Sequence, residues 1–131
     1  MKTLIVEDDF TSRMLMQEIL KPFGLSHIAV DGKEAVEAVR TALEAQEPYV
    51  LICLDIMLPN MDGQEALRHI RALEGRHHVP PERASKIIMT TALNDMKNVS
   101  AAYGNLCDGY LVKPVERRKF LETVHNLGIL F

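Results

Sequence analysis

The chain has 131 residues, 47% of them hydrophobic and 25% charged, with a formal net charge of −3. That length fits one domain, 1–131, which can bury about two-thirds of its unfolded surface. The near balance of charge leaves no electrostatic footprint for nucleic acid or an anionic membrane, and no apolar stretch nears the eighteen or so residues of a membrane span. No apolar signal region follows Met1-Lys2-Thr3, and Cys53 and Cys107 each sit in or beside an apolar run. They read as small buried hydrophobes, and a reduced, cytoplasmic protein is expected.

The elements follow in chain order. Leu4-Ile5-Val6 reads as a strand, followed by a helix capped at Thr11 or Ser12 with Leu15, Met16, Ile19, Leu20 and Phe23 on one stripe. Ser26 to Val30 is a second strand, and Asp31 caps a helix with Ala35, Val36, Val39, Ala42 and Leu43 inward. Tyr49 to Leu54 is a third strand that ends at Asp55. A helix bearing Ala66, Leu67, Ile70 and Leu73 follows, then a surface loop from Gly75 to Ser85 containing Pro80-Pro81. The fourth strand is Lys86 to Thr90. Asn94 to Asn105 forms a weaker helix, with Val99, Ala102, Tyr103 and Leu106 as a thin stripe, and is expected to be the most mobile. Gly109 to Val112 is the fifth strand, and Phe120, Leu121, Val124 and Leu127 mark the last helix. This alternation predicts an α/β domain, a doubly wound parallel sheet of five strands covered on both faces.

In such a sheet the ligand crevice lies outside the carboxyl ends of the strands. There the chain places Glu7-Asp8-Asp9, Asp55, Thr90-Thr91-Ala92 and Lys113-Pro114. Neighbouring strand ends are only about 5 Å apart, and carboxylates that close repel unless a cation joins them. Hard oxygen ligands without His or Cys point to Mg²⁺. Lys113 and Thr91 supply a positive charge and a hydroxyl for phosphoryl oxygens, which makes Asp55 a nucleophile for phosphoryl transfer. A lone strand-end acid is usually a turn or a cap; five such signals in order make that reading untenable. His77-His78 reads as solvated, and Arg117-Arg118-Lys119 as a solvated face with docking as its functional option.

These residues resemble the receiver domain of two-component response regulators. The resemblance rests on the acidic pair after the first strand, Asp55 with Pro59 and Asp62-Gly63, Thr91-Ala92, and Tyr110-Leu111-Val112-Lys113-Pro114. It spans essentially the whole chain. It implies a (βα)5 flavodoxin-like fold with strand order 2-1-3-4-5, and a cis Lys113-Pro114 peptide. Asp55 is then the phosphoacceptor, Glu7, Asp8 and Asp55 with the Met57 carbonyl hold Mg²⁺, Thr91 and Tyr110 form the switch, and Lys113 is the charge partner. Two registers stay open: Glu7 with Asp8 or Asp8 with Asp9, and Thr90 or Thr91. Glu7 with Asp8 is favoured because the family's basic position then falls on Arg13, and Thr91 is favoured by the small Ala92 behind it.

The resemblance implies a phosphorelay module, phosphorylated by a histidine kinase or a phosphotransfer protein. It would act on a downstream protein target through the face of the fourth helix, fifth strand and fifth helix, with a homodimer through that face as an option. The chain is read as a stand-alone receiver with no output domain, not an enzyme, though it assists its own phosphorylation and dephosphorylation. A phosphatase using an aspartyl-phosphate would carry a second carboxylate two residues after Asp55, where this chain has Met57. A phosphorylation-independent scaffold is the other rival, and the complete set of acids, hydroxyl and lysine argues against it.

Overall fold

The computed structural model describes residues 1–92 and 106–129. Five parallel strands form one sheet in the order β2-β1-β3-β4-β5: β1 Thr3–Val6, β2 Ser26–Ala29, β3 Leu51–Asp55, β4 Lys86–Thr91 and β5 Gly109–Val112. Every residue of β1 and β3 is buried, whereas the edge strands β2 and β5 are mostly half-buried. That difference explains why the central strands are continuous apolar runs: both of their faces are covered.

Side-chain alternation divides the core into two layers. Leu4, Val6, Ile52, Leu54, Ile87 and Met89 face α2 (Gly32–Glu44) and α3 (Gly63–Arg76). Ile5, Cys53, Ile88 and Leu111 face α1 (Phe10–Leu20) and the C-terminal helix (Arg117–Asn126), whose Phe120 and Val124 are fully buried. The predicted inward stripes of α2 and α3 are buried as expected, apart from a half-buried Leu43. Both cysteines are buried and free.

Three local expectations are corrected. The cap of α1 is Asp9, whose side chain accepts from the Ser12 amide at 2.9 Å, not Thr11 or Ser12. The helix starts at Phe10, two or three residues before a cap at Thr11 or Ser12 would begin it, because a carboxylate with extended backbone can close the first turn there. Leu15 is 41% exposed, since the inward arc of α1 is filled by Met16, Ile19 and Leu20. The third strand starts at Leu51 rather than Tyr49, and Asp55 is its last residue. The predicted helix at 94–105, with its Asn94 or Asp95 cap, lies outside the described residues.

The long loop before β4 is fastened by one arginine. Arg71 of α3 donates to the Leu106 and Ser85 carbonyls at 2.7 and 2.9 Å and pairs with Glu74 and Asp108 at 2.7 and 3.0 Å. Asp108 in turn accepts from the Ile87 amide at 2.8 Å, which ties the approach to β5 onto β4. The other end of the sheet depends on Gly63 at the start of α3. A Cβ there would lie 2.1 Å from the Asp55 carbonyl oxygen and 2.8 Å from Ile56 Cα, both backbone atoms with no room to move. Gly63→Ala is expected to lower the urea unfolding free energy by about 2 kcal/mol through this overpacking.

Candidate functional site

Register alone brings the key carboxylates together. Val6 pairs with Leu54, so Glu7, the next residue, stands beside Asp55 at the carboxyl edge. Glu7 follows the alternation of Ile5, Asp55 that of Cys53 and Lys113 that of Leu111, so all three belong to the α1 and C-terminal-helix side of the sheet. Asp55 pairs with Thr90, and Thr90 with Leu111, so Lys113 starts two residues beyond the Asp55 row and its long stem reaches back across β4. Its Nζ lies 2.7 Å from Glu7 Oε1 and 2.9 Å from Asp55 Oδ2. The Lys113-Pro114 peptide is cis.

The two carboxylates are deeply buried, Glu7 at 1% exposure and Asp55 at 4%. The other Asp55 oxygen, Oδ1, accepts from the Met57 amide at 3.2 Å. Glu7 Oε2 accepts from the Asp9 amide at 3.2 Å. Oε1, although close to Lys113, lies outside hydrogen-bonding geometry among the described residues, so its contact is ionic and not a directed bond. Burial, together with the hydrogen bond to Asp55 and the charge of Asp55, pushes the Glu7 carboxyl up to about 7, against the opposing pull of Lys113. For Lys113 burial is the largest single influence and lowers its pKa, but Glu7 and Asp55 together outweigh it and the net shift is upward.

Asp8 is exposed, and one ligand oxygen from each of Glu7, Asp8 and Asp55 falls within 4.8 Å of the others. This donor set suits Mg²⁺: it offers carboxylate oxygens only, and its buried Glu7 Oε1 has no directed hydrogen bond to lose. Asp9 stands apart, because its carboxylate caps α1 and is held below the ordinary range by the Ser12 amide and hydroxyl. Of the two acidic registers, the geometry therefore gathers Glu7 and Asp8.

The two threonines also separate. Both are buried, and alternation puts Thr90 on the face of Asp55 while Thr91 follows Met89 to the face where Tyr110 packs. The Thr91 hydroxyl donates to the Ala92 carbonyl at 3.3 Å. Burial raises the pKa of the Cys107 thiol, and Tyr110 acts on it in the lowering direction. Met57 is 69% exposed, at the lip of the site. Sequence reasoning missed the direct pairing of Lys113 with Glu7, since the two lie at opposite ends of the chain. It also read Asp31-Gly32 as an ordinary helix start; here Asp31 holds the loop after β3 through Asn60 at 2.7 Å.

A family model described as the response regulator receiver domain matches residues 3–125. The chain belongs to the response regulator receiver domain family. This receiver is 32% identical over 97% of its length to the probable histidine kinase 2 of Oryza sativa. It is 31% identical over 94% to the sensor histidine kinase GacS of Pseudomonas protegens. It spans only 13% of the length of each of those kinases.

Among solved structures, the receiver domain of the sensor histidine kinase PA1611 from Pseudomonas aeruginosa, with a magnesium ion in its active-site cleft, is 28% identical. It covers 97% of this chain and 97% of its own, with a TM-score of 0.74. The receiver domain of the histidine kinase CKI1 from Arabidopsis thaliana, complexed with Mg²⁺ and BeF3⁻, is 26% identical with a TM-score of 0.78. It covers 97% of this chain and 89% of its own. Both the five-stranded fold and the two-component signalling role follow from this membership. Among the described residues no helix is long and apolar enough to cross a membrane.

Proposed function

We propose that this receiver accepts a phosphoryl group on Asp55 from a phosphohistidine of a histidine kinase or phosphotransfer protein, with Mg²⁺ required. The observation that carries the reading is the Asp55 carboxylate at a strand end, held by the Met57 amide and Lys113 with Glu7 and Asp8 beside it. An Asp55 oxygen attacks phosphorus, the P–N bond to the donor imidazole breaks, and the imidazole leaves with the bonding pair. Mg²⁺, held by Glu7, Asp8, Asp55 and the Met57 carbonyl, would neutralise charge on the transferring group. Lys113, already 2.9 Å from Asp55, would move its contact to a phosphoryl oxygen.

Met57 in place of a second carboxylate leaves no general acid two residues on. The chain is therefore an acceptor that assists its own phosphorylation and dephosphorylation, not a turnover enzyme. Thr91 is the switch hydroxyl, drawn to the phosphoryl group from the Tyr110 face, and Tyr110 moves with it. That rearrangement would shift the population of a binding face on β5 and the C-terminal helix toward a protein target or a second copy.

The test is incubation with Mg²⁺ and a small phosphodonor, followed by intact mass and hydroxylamine treatment. One phosphoryl group per chain, removed by hydroxylamine and absent with a chelator, is expected. Failure of the wild type to label would leave the scaffold reading; catalytic release of phosphate over many turnovers would favour the phosphatase.

A further inference from the structure

The loop that carries Met57 is fixed from outside the site. It is rooted at both ends, by the Ile56 amide on the Thr90 carbonyl at 3.1 Å and the Gly63 amide on the Ile56 carbonyl at 2.9 Å. Between these roots its outward bulge is held by the first turn of α2. Asn60 adopts a left-handed backbone, φ +67°, and its side-chain amide donates to Asp31 Oδ2 at 2.7 Å. The other oxygen, Asp31 Oδ1, accepts from the Glu34 amide at 2.8 Å and so caps α2. One residue on, the Met61 carbonyl rests directly on Gly32, where an added Cβ would be 2.1 Å from its oxygen. Asp31 itself is only 9% exposed. A single carboxylate thus joins the start of a helix to a loop 29 residues further along the chain.

We infer that Asp31 and Asn60 are positioning residues for the metal site: their hydrogen bond holds the Met57–Met61 loop against α2 and thereby fixes the direction of the Met57 carbonyl. This rests on the proposed role of that carbonyl as a metal ligand. A carbonyl has no charge to pull a cation toward it from a poor angle, so its contribution depends on the shell that orients it. Neither Asp31 nor Asn60 touches the acidic cluster, and both act through the backbone between Asn60 and Met57.

Two variants remove the bond while keeping the local fold. Asn60→Gly retains the left-handed backbone, and Asp31→Ser retains a helix cap. Calorimetric titration of each metal-free protein with MgCl2 alone is expected to show a Kd about tenfold weaker than wild type. The double variant should lose no more than either single one, because both changes break the same bond. Thermal melts in EDTA run alongside report fold integrity. Melting points that fall while the Mg²⁺ Kd stays at the wild-type value would overturn the inference, as would losses that add in the double variant. A wild type that binds no Mg²⁺ would instead remove the metal reading itself.

Discussion

Asp55→Asn is expected to abolish phosphoryl labelling completely and, at the same time, to make the metal-free protein more stable. The first effect follows from loss of the attacking oxyanion, since an amide oxygen is not a nucleophile for phosphorus under these conditions. The second follows from the geometry of the site. Asparagine is nearly isosteric, can still accept from the Met57 amide, and leaves Lys113 paired with Glu7 at 2.7 Å. What disappears is one of two adjacent buried carboxylates that share a single ammonium. The Asp55 hydrogen bond and charge are two of the influences that raise Glu7, so Glu7 should ionise more easily in the variant. A gain of about 1 kcal/mol at pH 7.5 in EDTA is expected, read as a shift of a few degrees in Tm. Labelling of the variant at the wild-type level, or a lower Tm, would contradict this account of the site.

Stability without metal should fall as the pH rises from 5 to 8. Glu7 has a folded-state pKa of about 7 against an ordinary value of 4.5. The folded state therefore holds a proton that the unfolded chain has released across that interval. The corresponding stability is fully present below about pH 4.5 and is lost as the pH rises through 7. Its size is on the order of 2 to 3 kcal/mol. Asp9 and Asp31, both held low by helix-cap hydrogen bonds, act in the opposite sense and in a window below 3.8, so they do not mask the effect. Urea unfolding in EDTA at several pH values measures the slope, and Glu7→Gln isolates it by removing the titrating group. Saturating Mg²⁺ should flatten the wild-type slope, because a divalent cation favours the ionised carboxylates. A wild-type slope equal to that of Glu7→Gln would rule out this role for Glu7.

Much of this site was legible from strand-end signals taken together. Asp55 alone, after Leu51-Ile52-Cys53-Leu54, reads as a turn or a cap, and it gains a role from the acids, hydroxyl and ammonium at the neighbouring strand ends. Lys113 reads as functional because an ammonium before a proline closes an apolar strand. Both signals are local, and strand ends of a parallel sheet converge by construction. The acidic register was less legible: Glu7, Asp8 and Asp9 are chemically interchangeable on paper. It took the helix start to separate them, with Asp9 spent on the Ser12 amide. Asn60 was illegible for a different reason, since an asparagine between prolines, methionines and acids reads as a turn, and its partner Asp31 reads as a cap. Each reading is correct locally, and their joint effect exists only once α2 and the loop after β3 are packed side by side.

By itself the sequence determined the alternation of strand and helix, the two-layer core and the residue types at each strand end, because apolar periodicity and chemistry are written residue by residue. Only the tertiary structure decided which oxygens face which. It set Lys113 between Glu7 and Asp55, and it put Thr90 on their face and Thr91 on that of Tyr110. It also raised Glu7, through burial beside Asp55. The physical reason is that register, side-chain alternation and desolvation are properties of neighbouring strands, and the neighbours here lie up to about a hundred residues apart along the chain.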